Sequence, residues 1–274
     1  MKNIKTKLPL RKKSLLHIDF FGFYNLIGIE SNTKSLENFF LNYVEENYCK
    51  NFITPTFNYQ FCRKLKFNHN SKSEISSISE YFRKKKAKWR SFDPIFSFSG
   101  NYTKKNKFKS RLRSFDNNSA IQDIINDDGY YFFCGTPISF ITPGIHYLEN
   151  LINTRYRYDK IYKGSYKIRN HNKKIKYTYK VWPMKSKNSR NEYLVDSRYD
   201  SQKINFDLIK SGVMKVIAHK QKNYLMYCKA REFNNFLKKK ISQDEFYPLD
   251  KKTRSWIEPM IKKLGRPFNI NDFE

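Results

Sequence analysis

A histidine and a glutamate stand three residues apart, His146 and Glu149, inside the run YYFFCGTPISFITPGIHYLENLINTRYRYDKIYKG that spans 130–164. On a helix this spacing puts both side chains on one face. A carboxylate beside an imidazole fixes which ring nitrogen carries the hydrogen, and the other nitrogen can then take a proton. That is the minimum equipment of a general base. The run opens with apolar residues at 130–134 and stops at Gly135 and Pro137, so a buried strand ends in a turn just ahead of the pair. It closes with Arg155, Tyr156, Arg157, Tyr158, Asp159 and Lys160, too charged to be core. Strand end, polar loop, His–Glu pair and basic tail together form one half of an active site, placed where α/β folds build them. The plainer alternatives are a helix-capping or surface histidine and a solvated glutamate. His17, His69, His171 and His219 lack comparable company and read as structural or exposed.

The elements around this run alternate. Residues 15–20 read as a strand. Leu36, Phe39, Phe40, Tyr43 and Val44 recur at helical spacing after a polar start at 31–35. A second strand follows at 52–57, broken by Pro55, and Ile78, Tyr81 and Phe82 mark a short helix before a loop at 90–94. A short helix at 120–125 leads into the 130–134 strand. Further on, 214–218 and 224–228 form a hairpin, followed by a helix carrying Phe233, Phe236, Leu237 and Ile241. Alternation without internal repeats predicts an α/β fold, a three-layer α/β/α arrangement with a mixed central sheet. The chain reads as a single domain over 1–274, with an excursion or subdomain at 165–205, where Lys/Tyr strands are hardest to place.

Composition narrows the classes. The 274 residues suffice to bury a sizeable core. Only 39% are hydrophobic, but 17% are aromatic, and each aromatic buries a large area. No apolar run approaches the roughly 20 residues of a membrane span. The basic N-terminus is followed by His17 and Asp19 without a small-residue cleavage site, a poor signal peptide, so the cytoplasm is the expected compartment. The four cysteines lie far apart with no CxxC, which speaks against a zinc site or a disulfide framework. The net charge of +29 suggests a nucleic-acid binder when taken alone. Yet the excess is mostly lysine spread along the whole chain, alongside abundant Asn, Ile, Phe and Tyr. All of these have A/T-rich codons, so coding bias accounts for much of the charge, and no nucleic-acid partner is expected. The densest cluster, KKNKFKSRLR at 104–113, reads either as a solvated loop or as a patch for phosphates.

Several chemistries are excluded by what the sequence lacks. There is no GxxxxGK[ST] loop, no GxGxxG after a strand and no GxSxG nucleophile turn. Hexapeptide periodicity is absent too.

The chain resembles the aminoglycoside N3-acetyltransferase family, whose members move acetyl from acetyl-coenzyme A to an amino group on a sugar. The resemblance is carried by the turn Gly135-x-Pro137, Ser139-Phe140-x-Thr142, the pair His146-x-x-Glu149, and Tyr156-Arg157-Tyr158-x-Lys160 with Gly164 behind. Upstream, Pro55-Thr56-Phe57-x-Tyr59, Tyr81-Phe82-Arg83 and Arg90-Ser91-Phe92-Asp93-Pro94 also match. His17-Ile18-Asp19-Phe20 is similar to the family's first strand and turn. The similarity runs in order from about His17 to Gly164 and then fades. It implies acetyl-CoA as co-substrate, with His146 as catalytic base, Glu149 as its partner and Asp93 near the acceptor. It further implies Ser139, Thr142, Tyr156, Arg157 and Lys160 at the substrate, and His17, Asp19, Arg83, Arg90 and Ser91 at the coenzyme, with Arg83, Arg90 or Lys107 meeting its phosphates. Two departures stand out. Asp93 precedes the proline where antibiotic-modifying relatives usually carry His, and the stretch from Thr142 to His146 is about one residue longer.

The acceptor implied by the Asp93-Pro94 variant and by the basic charge is a nucleotide-linked amino sugar for surface polysaccharide synthesis, its diphosphate meeting Arg155, Arg157 and Lys160. The alternatives are an aminoglycoside antibiotic as acceptor, a basic nucleic-acid-binding homologue, or a catalytically silent one. A homodimer is one assembly that fits.

Overall fold

The computed structural model describes residues 12–28, 35–103, 113–168, 171–184 and 197–273. The first half comprises β1 (Lys13–Ile18), α1 (Phe20–Ile27), α2 (Leu36–Asn47), β2 (Asn51–Pro55), α3 (Gln60–Lys64), β3 (Lys66–Asn68), α4 (Ser77–Lys85), β4 (Trp89–Arg90) and β5 (Phe98–Gly100). Then come α5 (Ala120–Asn126), β6 (Tyr130–Pro137), α6 (Gly144–Leu151), β7 (Tyr158–Ile168) and β8 (His171–Val181). The chain ends with α7 (Ser201–Lys210), β9 (Lys215–Lys220), β10 (Asn223–Lys229), α8 (Ala230–Gln243), α9 (Lys251–Leu264) and a 3-10 turn at Ile270–Asp272.

Seven strands form a mixed sheet in the order β4-β5-β2-β1-β6-β10-β9. β1 lies parallel to both β2 and β6, while β10 runs antiparallel to β6. Side chains alternate across the sheet, as strand geometry requires. Leu16, Phe52, Phe132, Cys134 and Leu225 meet Phe23 of α1, Phe40 and Val44 of α2 and Phe82 of α4 on one face. Leu15, Ile53, Tyr131, Phe133 and Met226 meet Ile121 of α5, Leu148 of α6, Leu208 of α7 and Phe233 of α8 on the other. The expected three-layer α/β/α arrangement is therefore what the chain adopts.

A second sheet, β3-β7-β8, stands beside the first. The Lys/Tyr stretch expected as an excursion supplies the long β7–β8 hairpin, in register from Tyr158↔Val181 to Ile168↔His171. Its base packs on α9 through Tyr156, Tyr158, Ile257, Ile261 and Phe273. Among the described residues no helix is long and apolar enough to cross a membrane. All four cysteines are free thiols. The basic cluster at 104–113 lies outside the described residues except for Arg113.

One junction sets the geometry of the sheet's carboxyl edge. β1 ends at Ile18, and α1 begins almost at once, with the Asp19 side chain accepting from Gly22 N (2.9 Å) and the Asp19 N–H donating to Cys134 O (3.0 Å). Gly135 sits at φ +73°, and a Cβ there would fall 2.0 Å from Phe23 N. A Cβ on Gly22 would fall 2.0 Å from Gly135 O. The two backbones touch where neither residue has a side chain.

Candidate active site

The loop at 138–143 carries the chain from the end of β6 to α6, the helix that bears His146 and Glu149. Thr142 fixes the start of this helix. Its Oγ1 accepts from Gly144 N (3.3 Å) and lies 3.2 Å from His17 Nε2 on β1. His17 is buried and stacks on Phe133, and burial pulls its pKa down to about 3, so the ring is neutral. Thr142 and His17 thus tie α6 to the sheet.

Glu149 is fully buried. Its Oε1 accepts from Tyr156 OH (2.9 Å), and its Oε2 accepts from Tyr199 OH (2.6 Å) and from Arg157 Nη1. Burial works against its charge, but Arg157, His146 and Tyr199 together hold the carboxyl down at about 2. His146 Nδ1 lies 3.3 Å from Glu149 Oε2, 3.1 Å from Tyr199 OH and 2.7 Å from Arg157 Nη1. The ring packs on Phe115 at 5.4 Å, nearly parallel, and its side chain keeps 18% of its surface open. Burial lowers its pKa, aided by Arg157 and opposed by Glu149, so His146 is unprotonated near neutrality. A hydrogen on Nδ1 shared between Glu149 and Tyr199 leaves the Nε2 lone pair free, the form a base needs. Arg157 already has Glu149 and Tyr199 as acceptors for that nitrogen's two hydrogens.

The other expected site residues fall into two groups. Tyr156 and Arg157 belong to this cluster and point into it. Both are buried, and Arg157 also donates to Tyr179 OH (2.8 Å) and Lys180 O (2.7 Å) and stacks under Trp182. They hold Glu149 in place. Lys160 lies further along β7, opposite Tyr179, and Ser139 is exposed in the turn after β6. Asp93 is buried, and its Oδ1 accepts from Ile95 N (3.0 Å), Phe96 N (2.6 Å) and Tyr177 OH (2.6 Å), an Asx-type turn.

Asp19 caps α1, as described. Arg83 forms a two-pronged pair with Glu80 on its own helix (2.8 Å each). Arg90 is buried and donates to Thr56 O, His69 O, Ser71 O and Ser97 Oγ, while Ser91 Oγ accepts from Phe98 N (2.9 Å). Of the residues expected at the coenzyme, Arg90 and Ser91 staple the 90–98 loop to its neighbours. Tyr199 and Phe115 are the neighbours of His146 that the sequence does not reveal. Tyr199 is one of twenty tyrosines, in a stretch with no readable periodicity.

The buried neutral histidines carry a pH consequence. His17 and His146 both have folded pKa values below the ordinary 6.5. The unfolded chain takes up protons first as pH falls, so stability is full above about 6.5 and declines towards the folded values. From pH 6.5 to 5, His17 alone accounts for about 2 kcal/mol of that decline. Urea denaturation at both pH values measures it. The His17→Asn variant is expected to show a shallower dependence, and an unchanged one contradicts the assignment.

Three comparisons bear on identity. The family model described as aminoglycoside 3-N-acetyltransferase matches residues 39–242. A search of curated proteins returns no match. Among solved structures, the apoenzyme of aminoglycoside acetyltransferase AAC(3)-IVa is similar at a TM-score of 0.64 and 11% identity, covering 89% of this chain and 86% of that one. The YokD protein from Bacillus subtilis gives 0.63 at 13% identity, covering 86% and 90%. AAC-IIIb, in a binary complex with CoASH, gives 0.60 at 10% identity, covering 86% and 92%. At these identities the structures speak for the fold, whereas the family model spans most of the chain. Matched over residues 39–242, the chain belongs to the aminoglycoside 3-N-acetyltransferase family and is an acetyl-CoA-dependent N-acetyltransferase.

Proposed function

We propose that His146 is the general base of this transfer and that the acceptor is an amino group of an aminoglycoside. The observation that carries the reading is the partly open His146 ring, backed by a carboxylate held ionised in the core. An ammonium has no lone pair, and neutralising it costs roughly 1.4 kcal/mol for each unit its pKa lies above ambient pH. His146 Nε2 takes the proton as the amine nitrogen attacks the thioester carbonyl. The C–N bond forms, the C–S bond breaks, and the proton follows the departing sulfur of coenzyme A. Glu149 stabilises the imidazolium in between. No cysteine sits beside His146, so transfer is direct, without an acyl-enzyme.

The acceptor expected from the sequence was a nucleotide-linked amino sugar whose diphosphate would meet Arg157. That guanidinium is buried against Glu149, which removes one of the three side chains, with Arg155 and Lys160, expected to meet a diphosphate. The aminoglycoside acceptor of the family is the better-supported choice. The net charge of +29 and the Asp93-Pro94 variant favour the nucleotide-linked acceptor. Release of free coenzyme A thiol, measured with each acceptor at moderate salt, separates the two. Faster turnover of the aminoglycoside is expected. Faster turnover of the nucleotide-linked sugar overturns the acceptor, and turnover of neither marks a catalytically silent member of the family.

A further inference from the structure

The β7–β8 hairpin divides the Tyr/Lys stretch into two faces. Tyr177 is buried, and Ile175 and Tyr179 pack with it against the core. The opposite face is alternate residues Lys163, Ser165 and Lys167 on β7, with Lys176, Lys174 and Asn172 across from them on β8. β3 extends it, pairing Lys66 with Ser165. Lys66, Lys163, Lys167, Lys174 and Lys176 are all exposed. Lys64, Lys66, Lys163, Ser165, Lys174 and Lys176 together line a shallow cleft of about 610 Å³.

Some basic residues elsewhere in the chain are paired with acids. Arg254 bridges Asp244 and Glu258, Lys262 pairs with Glu258, and Arg83 with Lys84 flanks Glu80. The three strands of the small sheet hold a single acid, Asp159, at the far end, and it is taken by Arg113 and Lys180. Among the described residues no carboxylate pairs with any of the five exposed lysines. Lys163 and Lys176 even stand directly opposite each other, a like-charge pair that destabilises a sheet.

We infer that this lysine face binds the phosphate backbone of a nucleic-acid duplex. Strand spacing near 4.8 Å and a two-residue repeat near 6.7 Å spread the charges over roughly 13 by 10 Å, wider than one phosphate or diphosphate occupies. Such a field suits a polyanion with closely repeated charges. Ser165 and Asn172 between the lysines add the donors that meet phosphate oxygens. The aromatic side chains are on the buried face, so no base stacking is available and binding is independent of sequence. An anionic membrane fits less well, because the face and its cleft expose only two large apolar side chains among the described residues, Ile161 at one end and Leu65 beside Lys66, too few to insert.

Five phosphate contacts predict a slope of about −4.5 in log affinity against log salt, so a fourfold rise in salt weakens binding roughly 500-fold. Fluorescence anisotropy with a mixed-sequence DNA duplex of about 20 base pairs tests this on the full chain. The triple variant Lys163→Gln, Lys174→Gln, Lys176→Gln is expected to retain acetyl transfer but to shed about three units of slope. A control that changes Lys222, Lys238 and Lys239, exposed on other surfaces, should keep the wild-type slope. Equal losses in both variants, no binding to the duplex, or tighter binding to phosphatidylserine vesicles than to the duplex each overturns the inference.

Discussion

Alanine in place of His146 is expected to lower turnover by a factor of roughly 10² to 10⁴ while the protein still folds and binds coenzyme A. The ring contributes little to the core. Ile145, Tyr147 and Leu148 bury α6, and His146 occupies the one position of that stretch that remains partly open. Loss of the base leaves the ammonium form of the acceptor with no route for its proton inside the site. The pH profile supplies a second readout. In the wild type, kcat/KM should fall only below the ordinary histidine value of 6.5, because burial lowers the His146 pKa. In the variant this acid limb should vanish. A variant that turns over at the wild-type rate removes His146 from the chemistry, and a retained acid limb assigns the titration to another group.

The second large effect is on stability. The Arg157→Met variant is expected to lose about 3–5 kcal/mol, because Glu149 is left charged in the core without its cation. The carboxyl should then take up a proton at a higher pH, since Arg157 is the largest influence holding it ionised against burial. Lysine is no substitute. The guanidinium serves Glu149, Tyr199, Tyr179 and the Lys180 carbonyl at once, a fork an ammonium does not match. Glu149→Gln is for the same reason harsher than a purely ring-orienting role implies, as it strands a buried arginine. The double variant Arg157→Met with Glu149→Gln should recover much of the loss, since neither ion then remains in the core. Urea midpoints for the three variants decide the matter. A single Arg157→Met variant as stable as the wild type would mean the pair contributes nothing to the fold.

Much of this was legible in the residues, and the failures have identifiable causes. The His146–Glu149 spacing placed both groups on one helix face, and α2 announced itself through its period and its Ser35 cap. Helix α1 did not. Its residues FFGFYNLI lack a polar face, and Gly22 reads as a breaker until the tight approach to Gly135 explains it. Arg90 and Arg157 were expected at the coenzyme and the substrate because they stand in polar stretches of sequence. Both are buried, since each finds several acceptors that come from segments distant in the chain. Asp93 had the right neighbours for a site but faces backbone N–H groups of its own turn. Satisfaction of buried polar groups is a three-dimensional property, and spacing along the chain carries little of it.

Gly22 and Gly135 give the site a reference point that contains no functional group. Because two bare backbones meet there, the edge of the sheet and the first helix are set at a separation that no side chain would allow, and Cys134 and Asp19 are latched across the same seam. His17 leaves the seam on one side and the 138–143 loop on the other, and the two rejoin at Thr142 just ahead of α6. The position of His146 is thus surveyed from a contact between missing side chains. A designer who sought a roomier acceptor pocket would do well to rebuild the loop and leave that seam alone.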